Sequence, residues 1–130
     1  MSHFVDTNIV VYAFQRGLKS ERALLALADA TISVQVLNEF TNVCLRKLGH
    51  DHHAIDRFIE QIRSTVAGIG PLIEETHDTA RAIAARYRLG FYDSVLIASA
   101  LLAECDTFYS EDLQDGLIVE DQLTIRNPFV

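Results

Sequence analysis

The stretch His3-Phe4-Val5-Asp6-Thr7-Asn8 constrains this chain more than any other. Two apolar residues run into an acid, and Ile9-Val10-Val11-Tyr12-Ala13-Phe14 follows at once. The pattern is a short buried strand that stops at Asp6 and turns directly into a helix. A strand feeding a helical crossover takes a central place in a parallel sheet. Asp6 then stands at the strand's carboxyl end, where open α/β sheets bind their ligands. The ordinary alternative is that Asp6, Thr7 or Asn8 merely caps the helix, as these residue types commonly do. A chemical role for Asp6 therefore requires other acids to converge on it.

Helical and strand-like stretches alternate through the rest of the chain, the pattern of an α/β layer fold. No repeat, low-complexity tract or linker interrupts it, and 130 residues make a single domain over 1–130 the expectation. Arg16-Gly17-Leu18-Lys19 reads as a loop, with Ser20 as N-cap of a helix from Glu21 to Ala28 whose apolar content is Leu24, Leu25 and Leu27. Thr31-Ile32-Ser33 reads as a strand. Ser33 would cap a helix from Val34 to about Leu48, stopped by Gly49. Its inward stripe is Val36, Phe40, Val43 and Leu48, and Glu39 lies on that same stripe. His50-Asp51-His52-His53 opens the next helix, which runs to about Ala67 before Gly68 and Gly70. Pro71-Leu72-Ile73 is a weak strand suited to a sheet edge. His77 to Arg88 forms a helix, and Gly90 breaks the chain. Phe91 to Glu104 is apolar nearly all round and should be a buried helix, with Asp93 in its first turn. Thr107-Phe108-Tyr109 is a strand running into Ser110-Glu111-Asp112, and Leu123-Thr124-Ile125 is a last strand before Pro128.

Four carboxylates thus occupy comparable places. Asp6 and Asp112 follow strands, Asp93 opens a buried helix, and Glu39 sits on an apolar helix face. Ionised acids in such places are costly when unpaired, and like charges raise one another's pKa. A divalent cation removes both penalties. Mg²⁺ and Mn²⁺ take carboxylate oxygens, whereas Zn²⁺ usually also wants His or Cys. Each acid has a plainer role open to it. Glu39 can pair with Arg46, Asp93 can complement the helix dipole, and Asp112 can form a turn. The net charge of −7 argues against a generic, salt-driven nucleic-acid binder. It leaves a nuclease open, because acids gathered for a cation count toward that total.

Four segments resemble the PIN domain: Phe-Val-Asp6-Thr-Asn-Ile-Val-Val-Tyr, Ser33-Val-Gln-Val-Leu-Asn-Glu39-Phe, Phe-Tyr-Asp93-Ser-Val-Leu-Ile-Ala-Ser-Ala-Leu and Tyr-Ser110-Glu-Asp112-Leu. Within that family the likeness is to VapC-type toxins of toxin–antitoxin pairs, and it runs in order along essentially the whole chain. The resemblance implies a three-layer α/β/α fold with a central parallel sheet of about five strands. It implies a Mg²⁺- or Mn²⁺-dependent ribonuclease in which Asp6, Glu39, Asp93 and Asp112 bind the metal. It further implies that Thr7, Asn8 and Ser110 orient those carboxylates by hydrogen bonds, with Asp115 as an auxiliary acid. An RNA substrate, a cognate antitoxin and a homodimer are the partners it implies. Arg16 and Lys19, after the first helix, are candidate contacts for RNA phosphates.

Three rival functions share some of these features. A receiver-type signalling module needs a lysine at a late strand end, and no lysine follows Lys47. A haloacid-dehalogenase-type phosphatase resembles Asp-x-Asp at its nucleophile, whereas Asn8 stands at the third position here. A non-catalytic PIN-like scaffold that only binds RNA or protein would be expected to lack some of the four acids. His3, His50, His52, His53 and His77 show no ligating pattern and are given no catalytic role. Cys44 and Cys105 have no metal-type spacing and read as buried free thiols of a reducing compartment. The strongest apolar run, Val95 to Ala103, is about half the ~20 residues a bilayer span needs. With no targeting segment visible, a cytoplasmic protein is expected.

Overall fold

Consecutive residues of a strand point to opposite faces of its sheet. In β1 (His3–Val5), both Phe4 and Val5 are fully buried, so both faces are covered. The structure, a computed structural model, describes residues 2–130. β1 leads into α1 (Thr7–Ala13) and α2 (Ser20–Leu27). β2 (Thr31–Ser33) is followed by α3 (Val34–Arg46) and α4 (His52–Thr65). β3 (Gly68–Gly70) precedes α5 (Glu74–Tyr87) and α6 (Phe91–Leu102). β4 (Thr107–Tyr109), β5 (Ile118–Val119) and β6 (Leu123–Arg126) complete the sheet.

The strand order is β3-β2-β1-β4-β6-β5. The first five of these pair in parallel, and only β5 runs antiparallel, against β6. The expected parallel sheet is therefore present, with a two-residue sixth strand added at one edge. The chain builds outward from β1 through β2 to β3, then returns to the other side of β1 to lay down β4. The order reverses between β1 and β4, which is where α/β sheets open a crevice at the carboxyl ends of their strands. In-register Phe4 and Phe108 stack there with ring centroids 5.4 Å apart. α6 is buried continuously from Ser94 to Ala100, and Ser94 and Ser99 satisfy their hydroxyls on carbonyls one turn back, at 2.9 and 3.0 Å.

Several local expectations are corrected. The edge strand is Gly68–Gly70, not Pro71-Leu72-Ile73. Proline has no N–H to give a ladder, while Gly68-Ile69-Gly70 aligns with Thr31-Ile32-Ser33. α5 starts at Glu74, three residues before His77, with two acids in the first turn of its dipole. Ser20 is the first residue of α2 rather than its cap, and Ser33 occupies the cap position of α3 without using its hydroxyl. Leu24 and Leu25 face solvent, and Ala23 and Leu27 carry the inward face of α2. α4 begins after Asp51, whose side chain accepts the Ala54 N–H at 2.9 Å. Cys44 and Cys105 are both buried and free. Among the described residues, no helix is long and apolar enough to cross a membrane.

Candidate active site

Because β1, β2 and β4 run parallel, the segments that leave them emerge on one side of the molecule. β1 ends into Asp6, β2 into α3 with Glu39, and β4 into Ser110-Glu111-Asp112. α6 brings Asp93 in its first turn. These four acids line a single cleft of about 300 Å³, together with Thr7, Asn8, Asn42, Val43 and Lys47. Residues separated by more than 100 positions in sequence thus share one small volume.

Asp6 settles its own ambiguity. It occupies the N-cap position of α1, yet its side chain makes no capping hydrogen bond. Its Oδ2 instead accepts the Ser110 hydroxyl at 2.9 Å across the sheet, where the Asp6 N–H donates to the Tyr109 carbonyl at 3.0 Å. Ser110 is fully buried, and its hydroxyl also accepts the N–H groups of Asp112 and Leu113 at 3.2 and 3.3 Å. One hydroxyl therefore ties the strand-end acid to the loop that carries another. Glu39 does not pair with Arg46. Thr7 donates to its Oε1 at 2.6 Å and Gln35 to its Oε2 at 3.0 Å, so both carboxylate oxygens are held by neutral donors. Asn8 donates to Asp112 Oδ2 at 2.8 Å. Asp93 stands at the open side of the cleft, its Oδ2 folded back toward Gly90 at the start of α6.

Electrostatics joins the four into one group. Burial, with Asp93 and Asp112 nearby, raises the Asp6 pKa to about 6 despite the Ser110 hydrogen bond. Asp93 is raised by loss of solvent and then by Glu39 and Asp112. Such mutual repulsion is what a cation relieves. The donors are all oxygen, without His or Cys, which fits Mg²⁺ or Mn²⁺ rather than Zn²⁺. As the side chains stand, no group of three or more His, Cys, Asp or Glu among the described residues is arranged to hold an ion. Thr7, Gln35, Ser110 and Asn8 turn three of the acids toward hydrogen-bond donors around the cleft wall.

Not every expected residue is brought here. Asp115 lies outside the cleft and accepts the Asn127 N–H at 2.9 Å, tying down the C-terminal segment. Arg16 is exposed and does not line the cleft. Lys19 pairs with Glu111 and lies over the rings of Tyr12 and Phe129 at 4.9 and 5.3 Å. None of the five histidines lines the cleft. Sequence reasoning missed Gln35, Asn42 and Lys47. Gln35 is four residues before Glu39 and Asn42 three after it, so helical spacing alone put them beside it.

A mostly parallel α/β sheet with four acids around the crevice at its strand ends defines an acid-lined α/β site. The chain belongs to the PIN domain family, whose model matches residues 3–114. PIN domains are in general nucleases. No curated protein matches the sequence. Among solved structures, the fold is similar to a chain of a toxin–antitoxin complex from Klebsiella pneumoniae, at 19% identity and a TM-score of 0.74, with 98% of each chain covered. It is also similar to a chain of VapBC2 from Rickettsia felis bound to a DNA fragment from its promoter, at 18% identity and a TM-score of 0.71, again with 98% of each covered.

Proposed function

We propose that the protein is a Mg²⁺- or Mn²⁺-dependent endoribonuclease that hydrolyses RNA phosphodiester bonds as the toxin of a toxin–antitoxin pair. The observation that carries this reading is the convergence of Asp6, Glu39, Asp93 and Asp112 from four separate segments on one cleft. The likeness to chains of two toxin–antitoxin complexes supports an antitoxin protein as partner. Exposed apolar side chains, among them Leu25, Ile73 and Tyr92, offer surface for that partner and for a second copy of the chain.

Asp6, Glu39, Asp93 and Asp112 would hold the metal. When bound, Mg²⁺ or Mn²⁺ supplies charge stabilisation at a phosphodiester and lowers the pKa of a water. The chain's own contribution is to keep the carboxylates aimed. Ser110 fixes Asp6, Thr7 and Gln35 fix the plane of Glu39, and Asn8 fixes Asp112. Burial of Asp6 keeps bulk water from its inner side. Above about pH 6 Asp6 is ionised and able to take a cation, and below it protons compete.

Antitoxin-free protein incubated with total RNA tests the reading. Fragments are expected with Mg²⁺ or Mn²⁺ and not with chelator, carrying 5′-phosphate and 3′-hydroxyl ends. Asp93→Asn keeps the shape of the side chain and removes its charge. It should lose cleavage while retaining the circular dichroism spectrum of wild type. Cleavage by Asp93→Asn at the wild-type rate overturns the assignment of the site. Metal-independent fragments with cyclic phosphate ends overturn the reaction class.

A further inference from the structure

Lys47 is the one cation among the residues lining the acid cleft. The chain has 11 Lys and Arg against 18 Asp and Glu, so its overall field repels a polyanion. Four carboxylates with one or two divalent ions do not carry a net positive charge either. A phosphate chain that reaches this cleft needs a local cation. Of the two bases expected to meet RNA, Lys19 is paired with Glu111, and neither it nor Arg16 lines the cleft. Lys47 is exposed and makes no ion pair among the described residues, with the acids of its own cleft included. It is the residue that closes α3, its N–H bonded to the Val43 carbonyl at 2.9 Å. It stands eight positions beyond Glu39, which sets its Cα about 12 Å further along the axis. Lys47 thus lines the acid cleft from the far end of α3.

Resting on the nuclease reading above, we propose that Lys47 is a substrate-positioning residue that contacts an RNA phosphate adjacent to the scissile one. Such a contact releases a counterion and is blind to sequence. It therefore acts on RNA affinity and its salt dependence, not on metal affinity.

The test is equilibrium binding of a ten-nucleotide single-stranded RNA in Ca²⁺ over a series of KCl concentrations. Wild type, Lys47→Ala and Lys47→Arg are compared, with Arg81→Ala on α5, outside the cleft lining, as control. One phosphate contact to a single strand accounts for a slope of about 0.7 in log K against log salt, or about fivefold in affinity at 0.1 M salt. Lys47→Ala should lose about that much of each. Lys47→Arg should restore both, and Arg81→Ala should change neither. The Mn²⁺ affinity of Lys47→Ala, titrated without RNA, should equal that of wild type. An unchanged slope in Lys47→Ala overturns the proposal. So does tighter Mn²⁺ binding, which would make Lys47 a counter-charge to the acids. A lowered melting temperature with unchanged RNA binding would make it only a partner of the α3 dipole, and also overturns it. A wild-type chain that binds no RNA overturns the nuclease reading together with this one, whereas the other outcomes leave the nuclease reading standing.

Discussion

Two buried polar side chains define opposite cases at the scale of single residues. Asp6 has a reason to be buried and Ser33 has none within the fold. The folded-state pKa of Asp6, about 6, lies above its ordinary value of 3.8, so the folded protein holds a proton that the unfolded chain has released. Stability of the metal-free protein must then fall as pH rises from about 4 to about 6, by an amount on the order of 3 kcal/mol from this group, and level off above. Asp6→Asn removes that titration. Urea melts in chelator at pH 4.5 and 7.5 should show the variant gaining on wild type at the higher pH. A stability difference independent of pH would mean that Asp6 is ordinarily solvated. Ser33 is fully buried, and its hydroxyl has no hydrogen-bond partner. An unsatisfied buried hydroxyl costs about 1–3 kcal/mol, so Ser33→Ala should raise the unfolding free energy by about 1 kcal/mol, read as a higher urea midpoint at constant slope. A destabilised Ser33→Ala would show that the hydroxyl finds a partner in solution.

Among the structural elements, the loop after β4 depends most on contacts from elsewhere. Glu111 accepts from the Tyr12 hydroxyl at 2.8 Å and from Lys19, and these two bonds hold its carboxyl below the usual carboxylate range. Both partners come from the first helix and the loop behind it, so they pin the segment that presents Asp112. Glu111→Ala should speed amide exchange at Asp112 and Leu113 and weaken Mn²⁺ binding severalfold, with α6 protection unchanged. Exchange as slow as wild type would mean that Ser110 alone holds the loop. None of this clamp was legible in the sequence, because it joins residues about a hundred positions apart through side chains with no periodic signature. What was legible had a local cause. The β1 start and α6 announce themselves by unbroken apolar runs that meet an acid or a glycine. The four acids were legible through strand ends and the PIN-like segments around them. Outside its PIN-like segment Glu39 showed as an acid on an apolar stripe, and its two donors, Thr7 and Gln35, answer why it can sit there. Elements without side-chain patterning were misread. β3 is Gly-Ile-Gly and is defined by its neighbour β2, and β5 is two residues long. Asp115, offered by the resemblance as an auxiliary acid, is turned by the fold to the Asn127 N–H instead of the cleft.

Across the whole molecule, the acids of the cleft and the net charge of −7 act together on the same equilibrium. Folding gathers four carboxylates that the unfolded chain keeps apart, so any cation that binds the cleft binds the folded state selectively. Such a ligand stabilises by RT ln(1 + [L]/Kd), about 2.7 kcal/mol at a hundredfold excess over Kd. For a chain of this size that corresponds to a rise in Tm of about 10 °C. General screening of negative charge also stabilises, but it depends on ionic strength and not on the identity of the ion. Mn²⁺ should therefore raise Tm at pH 8 well beyond KCl of equal ionic strength. The rise should shrink at pH 5, where Asp6 is largely protonated and Asp93 is shifted the same way. Asp93→Asn should retain the KCl response and lose most of the Mn²⁺ increment. If KCl reproduces the Mn²⁺ effect, or if the increment is equal at pH 5 and pH 8, the ion is answering the charge of the whole surface. The cleft would then be an acidic wall with no cation of its own.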